Sequence, residues 1–164
     1  MSRNMRKCAA RLAARIRTHF ATGEVWDSAS MVEGAVWRCH PDEVEWLHEN
    51  LQGKKWEDVD IKRLAGNGDF SPTLYCSKEG VLWLLPLTML AAISDKDIDA
   101  DCCISAIDSE RRRLFGAAWG LSAQQKDVLC DWLRFIRDRD EGTYCLGAGC
   151  LLTKLEVEGH VKET

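Results

Sequence analysis

The first segment of the chain alternates apolar and basic positions with the period of an α-helix. Between Arg3 and Phe20 apolar side chains recur every three or four residues, the spacing of a helix with one buried stripe. These side chains are Met5, Cys8, Ala9, Leu12, Ala13, Ile16 and Phe20. The opposite side carries six basic residues and no acidic one; the basic residues are Arg3, Arg6, Lys7, Arg11, Arg15 and Arg17. We predict a first helix with a solvated basic face; a transit peptide or a membrane-surface helix are the alternatives.

Start and stop residues predict short helices in the middle of the chain. Pro41 followed by Asp42 and Glu43 is typical of a helix start, because proline suits the first turn and carboxylates favour its exposed amide groups. Gly53 is expected to end this helix. A further short helix is predicted from Trp56 to Leu64.

The most apolar stretch runs from Val81 to Ile93 and follows a capping residue, Ser77. Its length and bulk favour a buried central helix, with two short strands as the alternative. Pro86 is expected to interrupt or kink this helix, because proline has no N–H to donate to the preceding turn.

The best-marked helix start lies later, where Ser122 and Gln125 have the spacing of a capping box. Further helices are predicted over 102–107 and through Leu151, Leu152 and Leu155. The sequence contains no internal repeat and no linker that would mark a second domain. We therefore predict an all-α, single-domain helical bundle over residues 1–164, with about five to seven helices and with 143–164 as a tail or a last helix.

Composition narrows the classes of partner. The chain has 164 residues, 46% of them hydrophobic and 29% charged, which is typical of one globular domain. Its formal net charge is -4, and phosphate binding needs an excess of cations. No apolar run approaches the roughly 20 residues of a membrane span. We expect neither nucleic acid nor a membrane as a partner, while self-association stays open.

The eight cysteines are spread over helical apolar patterns. The first twenty residues do not form the apolar block of a secretory signal, and a disulfide framework belongs to secreted chains. Reduced cysteine behaves as a small hydrophobic residue. We therefore interpret the cysteines as reduced core residues of a cytoplasmic protein.

Metal sites fit the sequence poorly. Asp95, Asp97, Asp99 and Asp101 alternate as in a calcium loop, but the sixth and twelfth positions hold Ala100 and Ala106 instead of glycine and glutamate. A zinc site of Cys145, Cys150 and His160 lacks the usual C-x2-C spacing and a fourth ligand. We expect no cofactor and no metal.

Catalytic motifs are missing as well. The sequence contains no G-x-S-x-G elbow, no phosphate-binding glycine loop and no H-E-x-x-H pair. We predict that the protein is not an enzyme. The alternative is a small cytoplasmic enzyme whose site is assembled from dispersed residues, around His40 or His48.

Charge is unevenly distributed along the chain. Residues 1–23 contain six basic side chains and no acidic one, so the remaining 16 cations and 26 carboxylates have a net charge of -10. An acidic face attracts a basic partner and accelerates association. We predict that the partner-binding residues include the acidic set Asp95, Asp97, Asp99, Asp101, Asp108 and Glu110.

Several motifs resemble those of a small bacterial family of unknown function, over about residues 10 to 140. They are Gly53-Lys54-Lys55-Trp56, Phe70, Ser77-Lys78-Glu79-Gly80-Val81, Leu84-Leu85-Pro86, Leu121-Ser122-Ala123-Gln124-Gln125 and Leu133 to Ile136. Some members of that family resemble immunity proteins encoded beside secreted polymorphic toxins, including type VI secretion effectors. The resemblance implies a cytoplasmic protein that neutralises a cognate toxin by binding it. The acidic runs suggest a target with a basic surface, with a nuclease as one candidate.

Overall fold

The part of the chain that the structure describes is mainly helical. A computed structural model of the chain describes residues 2–20, 23–32, 41–60, 76–94, 100–116, 120–139 and 146–160. Its α-helices are α1 (Arg3–Phe20), α2 (Ser28–Met31), α3 (Pro41–Leu51), α4 (Lys78–Ser94), α5 (Asp101–Ser109), α6 (Arg111–Phe115), α7 (Ala123–Arg139) and α8 (Leu146–Val157). Six of these have nine or more residues. The predicted all-α fold is confirmed.

The chain folds into two compact units. One comprises Met1–His19 and Ile104–Thr164, and the other comprises Phe20–Cys103. The first unit is thus built from both ends of the chain, and the second from its middle. The single domain over 1–164 stays a prediction.

Helix α4 forms the centre of the 20–103 unit. Its side chains are buried on every side, including Trp83, Leu84, Leu87 and Met89 at 1% exposure or less. The helix continues through Pro86, so the predicted interruption and the two-strand alternative are wrong, while a kink at Pro86 stays a prediction. One missing N–H weakens a helix less than the burial of so many apolar side chains stabilises it.

Trp26 and Trp56 pack against Trp83 of α4, and the indole N–H groups of all three tryptophans are hydrogen-bonded. The rings of Trp26 and Trp83 meet edge to face, with centroids 5.1 Å apart. Trp83 Nε1 donates to the Glu24 carbonyl at 3.2 Å, and Trp56 Nε1 donates to the Trp83 carbonyl at 2.9 Å. Trp26 Nε1 donates to Ser28 Oγ at 3.0 Å. Burial of these large rings therefore leaves none of the three indole donors without a partner.

The chain around Trp56 differs from the predicted helix over 56–64. Within the described residues it forms a single 3-10 turn, Trp56–Asp58, and Val59 is already extended. Trp56 is anchored in the core through its indole, and a short isolated helix is too weakly stable to override such an anchor. Residues 61–64 lie outside the described ranges.

In the other unit, α1, α7 and α8 bury their apolar stripes. Helix α7 packs along α8. The predicted capping box is present: Gln125 N donates to Ser122 Oγ at 3.2 Å, and Ser122 N donates to Gln125 Oε1 at 2.9 Å. Gln125 Nε2 also donates to the His19 carbonyl at 3.0 Å, which joins the start of α7 to the end of α1.

The cysteines divide into buried and exposed thiols. Cys76, Cys103 and Cys130 are buried, whereas Cys8 and Cys150 are exposed, so the prediction that the cysteines are core residues is wrong for these two. Cys8 lies at the edge of the apolar stripe of α1, where the helix already faces solvent. Burial raises the pKa of the Cys130 thiol to about 11. Cys39, Cys102 and Cys145 are outside the described side chains.

Candidate protein-binding surface

The predicted acidic set is only partly described. Asp95, Asp97 and Asp99 lie outside the described residues, and Asp101 begins α5 with a side chain that is also outside them. Asp108 lies in α5, and Glu110 is the residue before α6. The structure therefore describes the side chains of two residues of the acidic set, Asp108 and Glu110.

Asp108 belongs to a network of charged side chains that joins α5, α6 and α8. It accepts a hydrogen bond from Lys154 Nζ at 2.5 Å and another from Arg111 Nη1. Arg111 also donates through Nε and Nη2 to the two oxygens of Glu158, at 3.0 Å and 3.1 Å. The planar guanidinium thus bridges two carboxylates, which is the geometry that arginine favours.

The network favours the charged form of both carboxyl groups. Partial burial alone would raise the pKa of Asp108, but the hydrogen bonds and charges of Lys154 and Arg111 outweigh it and lower the pKa below its ordinary value. The hydrogen bonds from Arg111 likewise lower the pKa of Glu158. Both groups are therefore ionised and locally compensated at neutral pH.

A carboxylate whose charge is balanced by nearby cations produces only a weak electrostatic field at long range. Asp108 is half-buried and faces two cations within its own unit, so a basic partner would have to compete with Arg111 and Lys154. Glu110 is also half-buried and takes part in an interaction within the chain. Asp108 therefore lacks the uncompensated charge that electrostatic steering requires.

A more open acidic surface lies instead on α3, in the 20–103 unit. Asp42, Glu45 and Glu49 are exposed. Their spacing of three and four residues places them in one row on the side of the helix opposite the core. The helix itself contains no lysine or arginine that could compensate them. We call these three residues the α3 acidic face.

The core side of α3 fixes the direction in which this face points. Val44 and Leu47 are 0% exposed and Leu51 is 1% exposed. After the helix, Gly53 adopts φ 73° and donates its N–H to the Trp26 carbonyl at 3.0 Å. The predicted helix start at Pro41 and stop at Gly53 are confirmed, and the acidic row is held in a rigid element.

The sequence contained a signal for this face. Asp42, Glu45 and Glu49 follow a proline that begins the helix, and their spacing alternates with the apolar Val44, Leu47 and Leu51. A count of acidic residues along the chain instead favoured the aspartate run from Asp95 to Asp101 as the binding surface. The spacing of the carboxylates along α3 is more informative than their number, because it shows that they lie on one side of the helix.

Metal-ligating and catalytic side chains are dispersed in the described part of the chain. Within the described ranges no group of three His, Cys, Asp or Glu side chains could hold a metal ion. His48 is exposed on α3, and His40 lies outside the described residues. His160 stacks at a tilt on Phe115, with centroids 5.4 Å apart, and its Nε2 lies 3.7 Å from Glu158 Oε2. It is thus placed as a neighbour of the ion network.

Comparison with known proteins gives no relative: no family model, no curated protein and no solved structure matches this chain. Among the described residues, no helix has the length and apolar character needed to cross a bilayer.

Proposed function

We propose that this chain is an immunity protein that binds a cognate secreted toxin and neutralises it without catalysis. The observation that supports this most is the α3 acidic face, a rigid row of three exposed carboxylates in a helix without lysine or arginine. The resemblance of the sequence motifs to a family that includes immunity-like proteins agrees with it. The protein would act in the cytoplasm of the producing cell.

The mechanism would be occlusion. A basic surface on the toxin, such as the cleft of a nuclease, would be drawn to the α3 acidic face, because opposite potentials accelerate encounter. The bound chain would then cover the active site, or a surface that the toxin needs for assembly. Neutralisation would require a stable complex and no chemical step.

The first experiment tests the function itself. Each gene that neighbours the gene of this chain is tested as the candidate toxin: it is expressed in a heterologous host with and without the chain, and growth is measured. We expect the toxin to stop growth and the chain to restore it, with both proteins eluting together in size-exclusion chromatography. Continued growth arrest in the presence of well-expressed chain would contradict the immunity proposal.

The second experiment tests the surface. We expect D42N/E45Q/E49Q to reduce the association rate with the toxin by about tenfold at low salt and to flatten its salt dependence. The matched control, E57Q/D58N/D127N, removes three exposed carboxylates elsewhere. Equal rates for the two variants would show that the α3 acidic face is the wrong surface, even if growth is restored.

A further inference from the structure

The outward side of α1 is a strongly basic surface in the unit that contains α7 and α8. Its exposed cations are Arg3, Arg6, Lys7, Arg11 and Arg17. They form no ion pair with any carboxylate that the structure describes, whereas Arg15, the sixth cation of the helix, is paired with Asp131 of α7. Against the expectation from net charge and hydropathy that a membrane is not a partner, we propose that this outward face of α1 binds the surface of an anionic phospholipid bilayer.

The cations are arranged as a broad, shallow face. At about 100° per residue they occupy roughly 140° of the helix circumference, and 18 residues extend for about 27 Å. The small residues Ala10, Ala14 and Thr18 are exposed within the same arc. Because no large side chain stands between the cations, all of them can approach one flat surface together.

The apolar side of α1 is not available for insertion into lipid. Ala9, Leu12 and Ile16 are buried, with Ile16 at 0% exposure. Interfacial helices that insert need a solvent-facing apolar side. Binding by this helix is therefore electrostatic, peripheral and reversible by salt, as polybasic segments are at anionic membranes.

A bilayer fits this face better than duplex nucleic acid does. Asp131 binds Arg15 beside the Arg11 edge of the cationic arc, so α7 lies alongside that edge. A major groove about 12 Å wide admits one α-helix, so α7 would have to lie outside the groove if α1 entered it. Lipid headgroups diffuse laterally and can gather around each cation, whereas the phosphates of a duplex are fixed.

A second copy of the chain is a weaker partner, because it offers fewer opposite charges than a bilayer surface does. The α3 acidic face offers three carboxylates against five cations. Exposed ion pairs of this kind contribute little to stability, so three of them would not hold a dimer together. A continuous anionic surface can engage all five cations at once.

The test is sedimentation of the full-length chain with large unilamellar vesicles. Vesicles of phosphatidylcholine with about 30% phosphatidylserine are compared with pure phosphatidylcholine at low and high salt. We expect binding to the anionic vesicles alone, and its loss at high salt. K7Q/R11Q should lower the partition coefficient about 25-fold, since each cation near an anionic surface contributes about fivefold.

The matched control is K55Q/R112Q, which removes two exposed cations outside α1. It should bind vesicles nearly as well as the unmodified chain, and circular dichroism should show the same helicity for both variants. Absence of binding to anionic vesicles at low salt, or equal losses in the two variants, would overturn the proposal. So would tighter binding of a short DNA duplex that K7Q/R11Q abolishes. None of these outcomes bears on growth protection, so the immunity function is tested separately.

Discussion

At Gly80 the backbone of α4 approaches the end of α2. A Cβ atom at this position would lie 2.1 Å from the Met31 carbonyl oxygen and 2.8 Å from Cys76 Cβ. The same carbonyl accepts a hydrogen bond from Ser77 N at 3.0 Å. Because backbone is on both sides of the contact, neither side can rotate away as a flexible side chain would.

Gly80→Ala should therefore destabilise the protein although alanine favours helices. We expect a loss of about 1–3 kcal/mol in the free energy of unfolding, the usual effect of overpacking a close contact. Urea denaturation would show a lower midpoint with an unchanged slope. The control is Gly23→Ala, at a glycine where a Cβ meets nothing within 4 Å. Equal midpoints for the two variants would refute the close approach.

Ser77 shows how one hydroxyl serves two elements. Its Oγ donates to the Ser30 carbonyl at 2.9 Å and accepts from Gly80 N at 3.4 Å. The second contact is the helix cap that the sequence predicts, and it is confirmed. The first contact reaches 47 residues back along the chain. Only the fold could reveal it.

At the scale of elements, the start of α7 is fixed by the capping box and by its link to α1. Gln125→Ala removes two hydrogen bonds. Ser122 N donates the first to Gln125 Oε1, and Gln125 Nε2 donates the second to the His19 carbonyl. We expect it to lower the free energy of unfolding by about 1–2 kcal/mol, near the upper end for the loss of a cap. Gln124→Ala, at the exposed neighbouring position, should be nearly neutral. Chemical denaturation of the two variants side by side measures the difference, and similar values would contradict the link between α7 and α1.

The ion network that joins α5, α6 and α8 makes stability depend on pH. Asp108 and Glu158 have folded-state pKa values below their ordinary 3.8 and 4.5. A carboxyl group with a lowered pKa stabilises the fold when ionised; its contribution is complete above the ordinary pKa and is lost as pH falls through the folded-state value. Stability from this network should therefore be full above about pH 5 and decline below about pH 4.5.

The variant D108N/E158Q tests this dependence. We expect it to be less stable than the unmodified chain at about pH 7, and its stability should fall less steeply between about pH 5 and pH 3. Urea midpoints at several pH values measure both effects. E57Q/D58N, outside the network, should keep the steep decline of the unmodified chain. If D108N/E158Q declined just as steeply, the two carboxyl groups would not be the ones that titrate.

Across the whole molecule, charge of opposite sign is carried by different helices. Helix α1 has six cations and no carboxylate, and α3 has four carboxylates and neither lysine nor arginine. The chain's net charge of -4 conceals this separation. Two distinct charged faces allow one chain to engage a basic protein and an anionic surface by separate elements. This is why the two proposals require separate variants.

Much of the fold follows from the sequence because its determinants are local. The apolar period of α1, the proline that begins α3, the glycine that ends the same segment and the capping box of α7 each act within a few residues. Hydrogen bonds and side-chain spacing over one or two turns decide such features, so they can be predicted without knowledge of distant contacts.

Other features depend on residues far apart in sequence and emerge only on folding. The negative charge of Asp108 is balanced by Lys154, which lies 46 residues away in sequence. Helix α4 continues through Pro86 because apolar side chains pack around it. The exposure of a side chain also depends on distant residues. Cys8 is exposed and Trp26 is buried because of how the rest of their units packs around them. Local sequence was thus sufficient to define most of the helices and the places along the chain where charge is concentrated. The tertiary structure decides which charged side chains are balanced by an opposite charge, because an ion pair depends on the distance between the two groups in space.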